Sequence, residues 1–205
     1  MRGLWASFSL AWRLLTIVPL PGRPASSIPS ATFAFSLQWF PVVGFLLGGS
    51  LLIIDRALED FFPSVVLNVV ILAFYALVTG GLHLDGWADT IDALAGGRDP
   101  EHRLVILRDS RIGALGATGL ILILGLRYAG LLTVPVGLRD GMLLCMPAIG
   151  RWAMVIGSWG VVYPRSEGLA ASFIRTVLWR DVLVASTVVG LGMWVMFGVV
   201  SAVVL

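Results

Sequence analysis

Apolar residues run almost unbroken through five stretches of the chain, 33–54, 65–82, 112–134, 142–162 and 182–205, with polar residues gathered between them. A helix of about 20 residues rises about 30 Å, the thickness of a bilayer's hydrocarbon core. Unpaired backbone groups are too costly in lipid for open structures, so all five runs are predicted to be membrane-spanning helices. The first twenty residues follow another pattern. On a helix Leu4, Trp5, Phe8, Trp12 and Leu15 share one side, while Arg2, Ser9, Arg13 and Thr16 occupy another. That division predicts an amphipathic helix lying in the membrane interface, with an imperfect sixth span as the alternative. Arg13 interrupts the apolar run and no small-x-small pattern follows it, which argues against a cleaved signal peptide. Gly44 and Gly48 make a small-xxx-small pair suited to close helix approach.

Composition agrees with the pattern. At 58% hydrophobic and 13% charged residues, the chain is far more apolar than a soluble domain, where about half and about a quarter are usual. The expected fold class is all-α: one integral membrane domain over 1–205, with about five transmembrane helices, the N-terminal amphipathic helix and a cytoplasmic helical hairpin carrying an acidic motif. Every basic residue is Arg. With the N-terminus cytoplasmic, Arg2, Arg13, Arg23, Arg98, Arg103, Arg108, Arg111, Arg165, Arg175 and Arg180 lie inside, against Arg56 and Arg139 outside. That asymmetry follows the positive-inside rule. A net charge of +2 without a basic run excludes a nucleic-acid partner, and the single Cys145 excludes an internal disulfide and a cysteine-based metal cluster. Two arginines fall within spans: Arg127 is placed to snorkel, and Arg151, closer to mid-span, is expected to face the bundle interior. The sequence is compatible with a homo-oligomer and does not specify one.

One stretch breaks the apolar pattern. Between Gly80 and Gly116 stand Asp85, Asp89, Asp92, Asp99 and Asp109, with Arg98, Arg103, Arg108 and Arg111. Asp85, Asp89 and Asp92 are spaced i, i+4 and i+7, so on a helix their carboxylates line one face, with His83 just before them. Like charges at that spacing cost only a few tenths of a kcal/mol on a solvated helix, and a wet surface would account for them. An ionised Asp at bilayer depth costs about 2.5–3.5 kcal/mol, so three beside a membrane call for water, arginine or a metal. Oxygen-only ligands favour Mg²⁺, which takes one or two carboxylates and fills its shell with water and phosphate. Arg108–Asp109–Ser110–Arg111 adds a fourth carboxylate bracketed by guanidinium groups, whose planar fork matches phosphate. Gly96–Gly97 should end the first helix and Pro100 start the next, capped by Asp99. Arg103 reads as a solvated helix charge.

Gly-Gly-Leu-His-Leu-Asp-Gly-Trp-Ala-Asp-Thr-Ile-Asp at 80–92, followed by Arg-Asp-Ser-Arg-Ile-Gly at 108–113, closely resembles the cobalamin synthase family, the adenosylcobinamide-GDP ribazoletransferases. Weaker matches at Phe40-Pro41-Val42-Val43-Gly44 and at 163–169 extend the resemblance over roughly residues 5–175. It implies a Mg²⁺-dependent enzyme of the cell inner membrane that joins adenosylcobinamide-GDP to α-ribazole or its phosphate, releasing GMP. Asp85, Asp89, Asp92 and Asp109 would be metal ligands; one of them, or His83, would take the hydroxyl proton. Arg98, Arg108, Ser110, Arg111 and Arg165 would hold phosphate. Two departures stand out. Asp92 is followed by Ala93 where the family usually has glycine, and the family's later helices and Gly-Gly-x-Thr-Gly-Asp segment are not within the 205 residues. Two rival readings use related physics: a CDP-alcohol phosphotransferase, whose acidic order differs from that around Ala88-Asp89, and a transporter or channel, which calls for paired broken helices at mid-bilayer.

Overall fold

The computed structural model describes residues 2–22, 29–164 and 168–198, and among these there is no β-strand. In chain order the helices are α1 (Arg2–Leu15), α2 (Ser30–Leu37), α3 (Phe40–Leu58), α4 (Ser64–Val78), α5 (Leu82–Gly96), α6 (Pro100–Ile106), α7 (Ala114–Thr133), α8 (Val136–Ser158), α9 (Leu169–Ile174) and α10 (Trp179–Met193), the last running into a π-helical turn, Trp194–Gly198. They form two compact units, Met1–Ala57 with Pro135–Leu205, and Leu58–Val134. Among the described residues four helical segments are long and apolar enough to cross a bilayer: Thr32–Leu58, Ala114–Thr133, Val136–Ser158 and Trp179–Gly198. The chain is a multi-pass, all-α membrane protein.

The predicted run 65–82 is corrected. Its helix, α4, stops at Val78, and α4 with α5 passes the same criterion only as a pair bent by 88°. Fifteen residues rise only about 22 Å. The stop is local chemistry: Gly81 N–H donates to the Ala76 carbonyl at 2.8 Å and Gly80 N–H to that of Leu77 at 2.9 Å, closing α4's last carbonyls in a Schellman arrangement. Gly80 and Gly81 have φ of 61° and 68°, the left-handed region that side chains with a Cβ resist. An apolar count across 65–82 is blind to that turn.

In the first unit the close contacts fall at small residues. A methyl group at Gly44 would overlap the backbone of Ala148, and one at Gly48 the carbonyl of Leu144, so α3 and α8 touch main chain to main chain. Lipid tails are as apolar as leucine, so helices in a bilayer associate through such contact and through interhelical hydrogen bonds. Trp152 Nε1 on α8 donates to Ser186 Oγ on α10 at 2.9 Å. Arg151 is 2% exposed, facing the interior as its mid-span position required.

Three boundaries moved because charges found partners. Helix α8 begins at Val136, six residues before the predicted run, and so includes Arg139 and Asp140. Arg139 grips the buried Asp55 of α3 through Nη2 at 2.7 Å and Nε at 2.9 Å, and Arg56 reaches Asp140 at 2.6 Å. Paired this way, the four charges sit within helices that hydropathy alone trimmed to 54 and 142. At the other end of the unit, the fully buried Asp181 accepts from Gln38 Nε2 at 2.6 Å and from the Leu178 amide at 2.8 Å, starting α10 at Trp179.

The N-terminal helix exists and is 14 residues long, too short to span. Its buried stripe is Ser7, Ala11 and Leu15, whereas Leu4 and Trp5 are exposed. Small residues let α1 lie close on its neighbours, which the predicted aromatic side would not. Phe8 still packs edge-on against Trp39, 5.4 Å between ring centres.

Candidate functional site

The second unit carries the acidic motif on α5, packed against the first half of α7. Three glycines at three-residue spacing, Gly113, Gly116 and Gly119, make that contact possible. A Cβ at Gly116 would strike the Asp92 carboxylate and the Ala88 carbonyl, and one at Gly119 would press on Ile91 and Trp87. Trp87 Nε1 donates to the Gly119 carbonyl at 3.0 Å, fixing the two helices along their length.

Above this contact lies a cavity of about 590 Å³ lined by Gly80, Gly81, Asp85, Asp89, Asp109 and Ser110, with Leu82, Ala88, Ile112 and Leu120 supplying its apolar wall. The 88° turn at the glycine pair brings backbone without Cβ atoms to one edge. Helix α5 supplies Asp85 and Asp89 from successive turns, and the segment between α6 and α7 supplies Asp109 and Ser110. The Asp89 carboxyl is pushed above the usual carboxylate range, first by burial, then by the charges of Asp85 and Asp92. Asp109 goes the other way, to about 2, because Arg111 donates to it from both side chain and backbone. Arg111 forks onto it through Nε at 3.0 Å and Nη2 at 2.7 Å.

Asp92 is not among the residues lining the cavity. Its Oδ2 accepts from the Gly113 amide at 2.7 Å and its Oδ1 from the Gly116 amide at 2.7 Å. Gly113 is the N-cap of α7 and has no side chain to close the helix's open amides, so a carboxylate from α5 does it instead. His83 is half-buried and also lies off the cavity wall. Arg98, Arg108 and Arg111 are exposed and outside the lining, and Arg165 lies outside the described residues. Among the described residues no group of three or more His, Cys, Asp or Glu stands ready to hold a metal unaided. The cavity thus unites Asp85, Asp89, Asp109 and Ser110, and does not gather all four proposed ligands.

The hairpin after α5 forms as the spacing requires. Asp99 caps α6, its Oδ1 accepting from the His102 amide at 2.7 Å, and Pro100 opens the helix. Arg103 is exposed on α6, as expected of a solvated helix charge, and its Nε also donates to the Gly97 carbonyl at 3.1 Å, tying α6 back to the end of α5. Missed in the sequence reading were Gly113, Gly116 and Gly119, whose regular spacing ahead of an apolar run was the available signal, and Trp87.

No solved structure matches the chain significantly. Among curated proteins, an adenosylcobinamide-GDP ribazoletransferase of Syntrophobacter fumaroxidans is 38% identical over 186 residues, which is 89% of this chain and 74% of that protein. Proteins of the same name from Desulfitobacterium hafniense and Acetivibrio thermocellus are 37% and 38% identical over 86% and 82% of this chain, and over 68% of each relative. The family model for cobalamin-5-phosphate synthase matches residues 7–205. With relatives at this identity along most of its length and that model covering nearly all of it, the chain belongs to the cobalamin-5-phosphate synthase family.

Proposed function

We infer that this chain is an adenosylcobinamide-GDP ribazoletransferase: it joins adenosylcobinamide-GDP to α-ribazole or its 5′-phosphate and releases GMP, in the last steps of cobalamin biosynthesis. Family membership supports the reaction. The observation that carries the site is the convergence of three motif carboxylates, Asp85, Asp89 and Asp109, on one cavity edged by the Gly80–Gly81 backbone.

The donor set suits Mg²⁺. It is all oxygen, and a metal that keeps several waters and takes substrate phosphate needs only one or two carboxylates, so the lack of a ready three-ligand cage is no obstacle. One or two of Asp85, Asp89 and Asp109 would hold it. Bound there, the ion would neutralise charge on the substrate diphosphate.

The chain's own groups then do the positioning, which dominates phosphoryl transfer. The glycine pair allows phosphate oxygens close to the backbone, and the Ser110 hydroxyl, which also lines the cavity, would donate to them. Arg108 and Arg111 flank that wall; Arg111, already anchored on Asp109, brings its charge to the cavity's rim. Arg98 and Arg165 are the further phosphate contacts carried over from the motif. One of the cavity carboxylates, or His83, would take the proton of the ribazole hydroxyl as its oxygen bonds to phosphorus and GMP departs. Arginine asymmetry supports a cytoplasmic site at the inner membrane. The transporter alternative called for paired broken helices, and the described residues hold a single bent pair.

Purified protein in lipid, supplied with adenosylcobinamide-GDP, α-ribazole and Mg²⁺, is expected to release GMP only when all three are present. EDTA should stop release and added Mg²⁺ restore it. Metal-independent release, or release without ribazole, would sink the reading.

A further inference from the structure

The acidic motif repeats aspartate three times on α5, yet the structure treats the third unlike the first two. Asp85 and Asp89 line the cavity. Asp92 turns both oxygens onto α7, at 2.7 Å from the amides of Gly113 and Gly116. These are the N-cap and N3 positions of a 20-residue helix that has no side-chain cap of its own. Open amides at a helix start carry partial positive charge, and a carboxylate there is stabilising. The fit is tight on both sides: a Cβ at Gly113 or at Gly116 would collide with this carboxylate.

We propose that Asp92 is a positioning residue that couples the two halves of the site, and does not serve as a metal ligand. Gly113 directly follows the segment 108–112, which delivers Asp109 and Ser110 to the cavity. By holding the Gly113 amide, Asp92 fixes where that segment ends relative to α5, and so keeps Asp109 in the same cavity as Asp85 and Asp89. It also sets α5's rotation. With the i+7 carboxylate anchored on α7, the i and i+4 carboxylates, Asp85 and Asp89, are the ones presented to the cavity. The Gly-x-x-Gly spacing of Gly113 and Gly116 is the other half of the device. This inference rests on the reading of the cavity as the metal and diphosphate site.

Three measurements test it. Hydrogen exchange of the Gly113 and Gly116 amides, read without substrate or metal, should be about tenfold faster in Asp92→Asn than in the unmodified protein, because a lost helix cap loosens the first turn. Unchanged exchange would overturn the proposal. Mn²⁺ binding followed by electron paramagnetic resonance should weaken in Asp89→Asn and stay within about twofold of the unmodified protein in Asp92→Asn; equal weakening in both would make Asp92 a ligand. In turnover, Asp92→Asn should lower kcat while leaving the half-saturating Mg²⁺ concentration unchanged. Gly116→Ala should give a similar loss, and the double variant should be little worse than either alone. Multiplying losses would show that the two residues do not act through one joint. Should the unmodified protein release no GMP, the function reading fails, while hydrogen exchange and Mn²⁺ binding still decide the role of Asp92.

Discussion

In the first unit the acids inside helices are given partners by the protein itself: Arg139 grips Asp55, Arg56 reaches Asp140, and Gln38 with the Leu178 amide holds Asp181. In the second unit Asp85 and Asp89 face a cavity and, among the described residues, have no hydrogen-bond or ion-pair partner there. The same residue type therefore does two jobs. A carboxylate whose partners are built in holds helices together. One left to a cavity keeps its oxygens for something that arrives from outside.

Breaking that contrast from the structural side should give the largest effect. Asp55→Ala leaves Arg139, only 17% exposed, without its main counter-charge, and removing one partner of a buried pair costs about 3–5 kcal/mol. Denaturation of the protein in detergent should show that loss as reduced stability. From the functional side, Asp89→Asn should cut GMP release by about 10²–10³-fold, the usual scale for losing one group that stabilises transition-state charge. Its thermal stability should not fall, since no internal bond is lost. Retained turnover would remove Asp89 from the site.

Two smaller tests sharpen the comparison. Gly48→Ala forces a methyl group onto the Leu144 carbonyl, and overpacking of this kind costs about 1–3 kcal/mol, visible as a lower melting temperature. Arg56→Ala should barely register. Its pair with Asp140 is exposed at both ends, 51% and 45%, and such pairs contribute at most about 1 kcal/mol. A loss as large as that of Asp55→Ala would mean that exposure does not separate the two pairs.

Much of the site could be read along the chain because its signals are local. The i, i+4, i+7 spacing put Asp85, Asp89 and Asp92 on one helix, and the Asp99–Pro100 start of α6 needed only its own neighbours. What escaped was long-range. Asp55 and Arg139 are 84 residues apart, so nothing near either shows that the other will make it tolerable inside a helix. Likewise Asp92 resembles Asp85 and Asp89 in type and spacing. Its different role depends on amides of α7 that lie 21 and 24 residues further on.

Hydropathy and periodicity, then, sufficed to establish an all-helical, multi-pass protein and to locate its reactive stretch, because burial in lipid and helix geometry act over a single run of residues. Folding alone decided which carboxylates are consumed and which stay available, since that turns on donors brought from elsewhere in the chain. It also decided where the apolar run 65–82 breaks. Two left-handed glycines end α4 there and turn the chain by 88°, which opens the edge of the cavity that the aspartates share.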